Sequence, residues 1–108
     1  MHRIRYTLQA EIDLEEMIDH IAKESLPNAL AYLERYEKTV DLLSRNPQMG
    51  TKCINKNIRR ECRIIVFESH LIVYRTMSEE QEIRIIRIFH HRVDYAKKMG
   101  TTIHSSSD

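Results

Sequence analysis

The spacing of apolar residues predicts a helix near the start of the chain. From Ala10 onward, apolar residues recur every three or four positions, which places them on one face of a helix that runs to about Glu24. Thr7 precedes this stretch and can cap its first turn. The predicted apolar face comprises Ala10, Leu14, Met17, Ile18, Ile21 and Ala22, and the predicted solvent face comprises Glu11, Asp13, Glu15, Glu16 and Asp19.

A second amphipathic helix is predicted after "SLPNA", where Pro27 suits the first turn of a helix. It ends at "RNPQMG", because Pro47 disfavours a helical Asn46 and Gly50 permits a turn. Its predicted apolar stripe comprises Ala29, Leu30, Leu33, Tyr36, Val40 and Leu43. Two amphipathic helices joined by such a short link favour an antiparallel hairpin.

The other predicted elements are strands. Near the N-terminus, Arg3 and Arg5 alternate with Ile4 and Tyr6, which is the period of a short, half-buried strand. In the second half, "NIRRECRIIVF", "LIVYRTM" and "EIRIIRIFH" are typical of strands and are separated by the short turns "ESH" and "SEEQ". Connections of this length favour an antiparallel meander.

These elements predict an α+β fold. A short N-terminal strand and an antiparallel helical hairpin accompany a mainly antiparallel sheet of three to four strands, and the hairpin packs on one side of the sheet. In the first strand of the meander, the expected core face comprises Ile58, Cys62, Ile64 and Val66, and the opposite face comprises Arg59, Glu61 and Arg63. We expect residues 1–99 to form a single domain and residues 100–108 to form a short polar tail.

Composition excludes several other classes of protein. The 108 residues are 42% hydrophobic and 31% charged, as in an ordinary globular domain. No apolar run approaches the roughly 18 residues that a membrane span needs, and the first residues lack the apolar stretch of a signal peptide. We therefore expect a cytoplasmic protein without a membrane partner.

Cysteine and glycine usage predicts neither a metal site nor a bound cofactor. Cys53 and Cys62 lie outside any CxxC motif, so we expect them to be reduced. Their spacing from His90 and His91 does not match a compact zinc site. The chain has only two glycines, which excludes a glycine-rich phosphate loop.

The charge of the chain is distributed unevenly. Residues 1–50 carry six Lys or Arg against nine Asp or Glu, whereas residues 51–108 carry eleven against seven. The basic excess is concentrated in "TKCINKNIRRECR", which contains Lys52, Lys56, Arg59, Arg60 and Arg63 with a single acidic residue, Glu61. Such a cluster attracts a polyanion or an acidic partner chain, although a solvated strand face would have the same composition.

The order of these elements and several short motifs resemble the RelE/ParE family of toxins from bacterial type II toxin-antitoxin systems. The motifs that carry the resemblance are "AEIDLEEMIDHIAKESLPNALAYLERY", "RNPQMG", "IRRE", "LIVYR" and "IRIIRIFHHRVD". The patterns P-x-M-G, V-Y-R and R-I-x-H-x-R-x-D are more similar to the ParE branch. The sequence also lacks the lysine-rich pattern of the RelE branch, having only Lys52 and Lys56 before the arginines.

The resemblance implies a ParE-like toxin that inhibits DNA gyrase, causes growth arrest, takes part in plasmid stabilisation and is neutralised by a cognate antitoxin, with which it can form a hetero-oligomer. Such a gyrase poison is not itself an enzyme. One alternative is a RelE-like toxin, a metal-independent endoribonuclease that cuts mRNA on the ribosome. Another is an inactive relic that only binds antitoxin.

Candidate site residues follow from these alternatives. RNA cleavage without a metal needs a base, an acid and cations for the phosphate, and the candidates for these roles are Glu61, Arg63, Arg87, His91 and Arg92. The candidates for binding a partner are Lys52, Lys56, Arg59, Arg63, His91 and Arg92. A structural role is open for the terminal segment, in which His90 packs or caps the strand end and Arg87 or Arg92 pairs with Asp94.

Overall fold

A computed structural model describes residues 1–53 and 61–90 of the chain. Its elements are β1 (Arg3–Tyr6), α1 (Leu8–Glu24), α2 (Leu26–Arg45), β2 (Thr51–Lys52), β3 (Arg63–Phe67), β4 (His70–Met77), a 3-10 turn (Ser78–Glu80) and β5 (Glu82–Phe89). The predicted α+β class is confirmed. No helix in the described ranges is long and apolar enough to cross a membrane.

The two helices begin and end where the sequence predicts. The Thr7 side chain accepts a hydrogen bond from the Ala10 amide at 3.0 Å and so caps α1. Ser25 alone links the helices: its amide donates to the Ile21 carbonyl, and its side chain accepts from the Asn28 amide at 3.2 Å. The two helices pack against each other on either side of this link, which gives the predicted hairpin.

One position in the predicted stripe of α2 is wrong. Leu30 is 59% exposed, whereas Tyr32, which was not assigned to the stripe, is 8% exposed. The Tyr32 ring packs edge-on against Phe67 of the sheet at a centroid distance of 5.1 Å. An aromatic ring three residues after the buried Ala29 thus covers the sheet, and Leu30 turns toward solvent.

Within residues 1–53 and 61–90, the sheet has five strands in the order β1-β5-β4-β3-β2. β1 pairs with β5 in parallel, and all the other neighbours are antiparallel. The prediction of a mainly antiparallel sheet is confirmed, but the predicted count of three to four strands is too low. The additional strand, β2, has only two residues and is too short to produce a periodic pattern.

The predicted core face of the first meander strand is correct for Cys62, which is 5% exposed, but wrong for Val66. Ile65 and Phe67 are 7% and 6% exposed and pack in the core beneath the helices, whereas Val66 is 64% exposed. Both parities of "RIIVF" are apolar, so alternation could not decide which face is buried. The position of Ile58, which was predicted to share the core face, lies outside the described residues.

A bulge in β5 changes which of its residues face the helices. Val73 pairs with Arg87 while Tyr74 pairs with Ile85, so Ile86 is an extra residue without a partner on β4. Ile85 and Ile88 both belong to the core under the helices. A second apolar cluster comprises Cys62, Leu71, Val73 and Phe89, with Cys53 and Ile64 packed against it.

The expectation that the cysteines are reduced is wrong. Cys53 and Cys62 form a disulfide with their Cα atoms 5.4 Å apart, and the Cys53 amide donates to the Cys62 carbonyl at 2.9 Å. The two residues lie side by side because one directly follows β2 and the other directly precedes β3. Sequence reasoning could not place them together without β2.

Candidate functional site

Two cavities lie at opposite ends of the central strand β4. The first, of about 410 Å³, will be called the Arg63 cavity; it is lined by His2, Pro47, Gln48, Lys52, Glu61, Cys62, Arg63, Tyr74, Arg75, Thr76 and Ser78. The second, of about 630 Å³, will be called the histidine cavity; it is lined by Asp13, Glu16, Met17, His20, Ile21, Asn28, Ala31, Tyr32, Arg35, Ser69, His70, Ile88, Phe89 and His90.

The Arg63 cavity brings together three of the predicted site residues, Lys52, Glu61 and Arg63. Lys52 and Arg63 are direct partners in the pairing of β2 with β3. Arg75 joins them from β4, and its Nε donates to the main-chain carbonyl of Glu61 at 3.2 Å. Three cationic side chains and one exposed carboxylate therefore surround this cavity, and such a site favours an anionic group.

Main-chain carbonyls fix the guanidinium of Arg63. Its Nη1 donates to the Gly50 carbonyl at 2.6 Å and to the Gln48 carbonyl at 3.3 Å. The loop that presents these carbonyls is held by Tyr74, whose hydroxyl donates to the Pro47 carbonyl at 2.7 Å and accepts from the Gly50 amide at 3.0 Å. Burial raises the pKa of Tyr74, so its hydroxyl keeps its proton.

This arrangement explains two of the sequence motifs together. P-x-M-G supplies the loop, and V-Y-R supplies the tyrosine that holds it. Gly50 has no room for a side chain, since a Cβ there would lie 2.8 Å from the Tyr74 ring and 2.9 Å from the Ile64 carbonyl oxygen. The two motifs therefore act as one unit that places Arg63 at the cavity.

Arg87 does not belong to this group. Its Nε donates to Asp13 Oδ2 at 2.8 Å and its Nη2 donates to Asp13 Oδ1 at 3.3 Å. The guanidinium carbon also lies 4.7 Å from the centroid of the Phe89 ring. The sequence placed Asp13 on the solvent face of α1, and this assignment is wrong, because Asp13 is 7% exposed and pairs with Arg87. The predicted pairing of Arg87 or Arg92 with Asp94 involves residues outside the described ranges and stays a prediction.

Asp13 satisfies the edge of β5 at the point where β1 has ended. The last residue of β1 is Tyr6, so on that side β5 lacks a neighbouring strand beyond Ile85, while β4 continues on the other side. There the Thr7 hydroxyl donates to the Ile86 carbonyl at 2.8 Å, and Asp13 accepts from the Ile88 amide at 2.9 Å. Burial alone would raise the pKa of Asp13, but the hydrogen bonds from Arg87, Ile88 and Gln9 outweigh it and lower the pKa.

The histidine cavity receives the end of β5, where His90 follows the last strand residue. The His90 ring lies edge-on to His70 at a centroid distance of 5.0 Å and to His20 at 6.5 Å. His70 Nδ1 and the Tyr32 hydroxyl are 2.6 Å apart. Burial, reinforced by the neighbouring His90, lowers the pKa of His70 to about 4, so its imidazole is neutral at pH 7.

Sequence reasoning did not predict that this cluster forms. His20, Tyr32 and His70 lie far apart in the chain, and the packing of α1 and α2 against the start of β4 brings them together. Only the arrival of a histidine at the end of the last strand was visible in the sequence. In the parts of the chain that the structure describes, no three His, Cys, Asp or Glu side chains are placed to hold a metal ion.

The remaining predicted site residues lie outside the described residues. They are Lys56, Arg59, His91 and Arg92, together with Asp94, the predicted ion-pair partner of Arg87 or Arg92. Their roles stay predictions.

Comparison with known families decides the classification. The family model described as the ParE toxin of the type II toxin-antitoxin system parDE matches residues 4–95. The chain belongs to the ParE toxin family. No curated protein sequence matches the chain.

Solved structures support the same fold for this ParE-family chain. It resembles a chain of the chromosomal ParDE toxin-antitoxin system from P. aeruginosa, with a TM-score of 0.66 and 22% identity over 84% of this chain and 97% of that one. The intact E. coli RelBE complex gives a TM-score of 0.56 with 14% identity over 82% and 95%. A metal-bound toxin from Helicobacter pylori gives 0.56 with 18% identity over 86% and 98%. At these identities the structures show the fold alone.

Proposed function

We propose that this chain is a cytoplasmic toxin that inhibits DNA gyrase and is neutralised by a cognate antitoxin. Membership of the ParE family over residues 4–95 carries the proposal. The placement of Arg87 supports it, because the Asp13 carboxylate neutralises this guanidinium, and Arg87 does not line the Arg63 cavity. Of the described catalytic candidates, Glu61 and Arg63 line the Arg63 cavity, whereas Arg87 pairs with Asp13.

The hydrogen bonds of Arg63 also favour a binding role for this residue over a role in RNA cleavage. A phosphate clamp in a nuclease needs donors that are directed at the growing charge of the transition state. The Nη1 group of Arg63 instead donates to two loop carbonyls. Arg75 likewise donates to the main chain of Glu61. These cations act as parts of a rigid basic surface that can dock an acidic region of gyrase.

The same surface is suited to the antitoxin. We assign partner binding to Lys52 and Arg63 and retain Lys56, Arg59, His91 and Arg92 as further contacts. An acidic segment that is disordered before binding could wrap around this surface and fold on it. Charge attraction would speed the encounter and make its rate depend on salt.

A RelE-like endoribonuclease is the second candidate function. The observation that favours it is the composition of the Arg63 cavity, where the Glu61 carboxylate and the His2 imidazole lie beside Lys52, Arg63 and Arg75. These groups include a base, an acid and cations, which are the types that metal-free cleavage requires.

A supercoiling assay with purified gyrase and the full chain tests the proposal. We expect the wild-type chain to inhibit supercoiling and Lys52→Ala to inhibit it more weakly. Lys23→Ala is the matched control, because Lys23 is an exposed lysine in the last turn of α1, away from the Arg63 cavity. A folded wild-type chain that leaves supercoiling unchanged at every concentration would contradict the proposal.

A further inference from the structure

The Cys53–Cys62 disulfide fastens the C-terminal end of the short strand β2. β2 consists of Thr51 and Lys52 and pairs with β3 through two positions only. The disulfide lies directly beside the second of these positions, and the hydrogen bond from the Cys53 amide to the Cys62 carbonyl continues the ladder. Tyr74 and Arg63 hold Gly50 at the start of β2, whereas this hydrogen bond and the covalent link hold its end at Cys53.

Charge repulsion opposes the same attachment. Lys52 and Arg63 are direct cross-strand partners, and like charges in that position destabilise a strand pair. The guanidinium of Arg63 is fixed by the carbonyls of Gly50 and Gln48, so it cannot move away without losing these hydrogen bonds. The disulfide thus holds two cations together at the edge of the Arg63 cavity.

The disulfide is accessible to small reagents from one side. Cys53 is half-buried, whereas Cys62 is 5% exposed, so an incoming thiol reaches the sulfur of Cys53 more easily. Lys52 and Arg63 adjoin the two cysteines in the chain, and nearby positive charge favours the thiolate, which is the reactive form in exchange.

The fold does not depend on this disulfide for its core. A continuous apolar cluster runs from Ala10 and Met17 of α1 to Ile83 and Ile85 of β5, without either cysteine. Structural disulfides are characteristic of small secreted domains that lack such a core, whereas disulfides in reducing compartments are typically transient and redox-sensing. The Cys53–Cys62 disulfide thus has the features of a transient, redox-sensing disulfide.

We propose that Cys53 and Cys62 form a reversible thiol–disulfide site that exchanges with low-molecular-weight thiols and disulfides of the glutathione class. In oxidation, the Cys53 thiolate attacks the small disulfide, forms a mixed disulfide and releases one thiolate. The Cys62 thiolate then attacks the Cys53 sulfur and releases the second thiolate. The two protons lost by the cysteines go to the two released thiols, and reduction is the reverse sequence.

Oxidation fastens β2 to β3 and keeps Lys52 beside Arg63, whereas reduction releases β2 and lets Lys52 move away. The site therefore controls how much positive charge the Arg63 cavity presents. This regulation goes beyond the proposed function, and the chemistry of the site does not require gyrase to be the target.

Titration of the full chain in glutathione buffers tests the proposal. After incubation at defined ratios of reduced to oxidised glutathione, free thiols are alkylated with a maleimide and counted by intact mass. We expect no alkylated cysteine in excess oxidised glutathione, two in excess reduced glutathione, and a single transition between these states. The amide of Cys53, which donates to the Cys62 carbonyl, should exchange hydrogen roughly tenfold faster or more in the reduced chain.

Two controls separate release of β2 from a general loss of structure. The double variant Cys53→Ser/Cys62→Ser should show the fast exchange in both buffers. If this variant does not fold, the reduced wild-type chain blocked with iodoacetamide replaces it. In every sample the amides of Ile72 and Val73 in the central strand should stay slow.

Three results would overturn the proposal. One is a chain that forms only mixed disulfides with glutathione, and another is a disulfide that persists in excess reduced glutathione. The third is equal hydrogen exchange at the Cys53 amide in both states. Gyrase is absent from these measurements, so failure here is distinguishable from failure of the gyrase proposal.

Discussion

Asp13 Oδ2 accepts a hydrogen bond from the Ile88 amide nitrogen at 2.9 Å, and these two residues are 75 positions apart in the chain. The contact closes one edge of β5 with a helix side chain, on the side where β1 has ended. The same carboxylate pairs with Arg87 at 2.8 Å. A residue of the first helix therefore fixes the end of the last strand, and through it the position of His90.

Replacing Asp13 should be costly to stability. Asp13→Ala leaves the buried Ile88 amide without its acceptor and the Arg87 side chain, which is 20% exposed, without its counter-ion. We expect the free energy of unfolding to fall by about 3 kcal/mol in urea denaturation. The control Glu16→Ala removes an exposed carboxylate from the same helix and should change stability by at most about 0.5 kcal/mol. Equal effects of the two variants would contradict this account of the strand edge.

Stability should fall with pH in a window set by His70. Its pKa is about 4 in the folded chain, against an ordinary value of 6.5, because burial disfavours the charged imidazole. Between these values the unfolded chain binds more protons than the folded one, so the free energy of unfolding decreases as pH falls from 6.5 to 4. His70→Gln should flatten this part of the profile, measured by urea denaturation at each pH. An unchanged slope would contradict the assignment.

Asp13 has the opposite kind of shift and acts in a lower range. Its folded pKa lies below 3.8, so its stabilising contribution is present at higher pH and is lost as pH falls through the folded value. Asp13→Asn should therefore make stability less dependent on pH below 3.8 while leaving the His70 window in place. Acid unfolding followed by circular dichroism measures both ranges.

Gly50 and Tyr74 should be energetically coupled. Gly50→Ala forces a Cβ to within 2.8 Å of the Tyr74 ring, and we expect it to destabilise the chain by about 1 to 3 kcal/mol. Tyr74→Phe removes the hydroxyl that binds Pro47 and Gly50 and should cost roughly 1 kcal/mol. In a double-mutant cycle, the combined loss should differ from the sum of the single losses by roughly 0.5 kcal/mol or more. Strict additivity would argue against the unit formed by the two motifs.

Features that depend on local sequence could be predicted well. The Thr7 cap, the Ser25 link and the end of α2 before Pro47 all follow from signals within a few residues. The strand Glu82–Phe89 was visible as an apolar, β-branched run. Such signals act through capping hydrogen bonds and backbone preferences, which do not need tertiary contacts.

Features that depend on distant contacts could not be predicted. Asp13 is a carboxylate on the polar side of an amphipathic helix, so its sequence context places it in solvent. It bonds to β5 because β1 ends at Tyr6 and leaves that edge of β5 open. The disulfide required β2, which is two residues long. Both faces of β3 carry apolar residues, so only the packing of Phe67 against α2 decides which face is buried. In each case the deciding interaction lies elsewhere in the chain.

The most direct test of the gyrase proposal compares both targets with one preparation of the toxin. Purified gyrase with supercoiled plasmid reports trapped DNA cleavage as linear DNA, and programmed ribosomes report mRNA cleavage by primer extension. The proposal predicts that linear DNA accumulates with toxin concentration and that the mRNA remains intact. Uninhibited gyrase together with codon-phased cuts in mRNA at the ribosomal A site would contradict the proposal and favour the endoribonuclease.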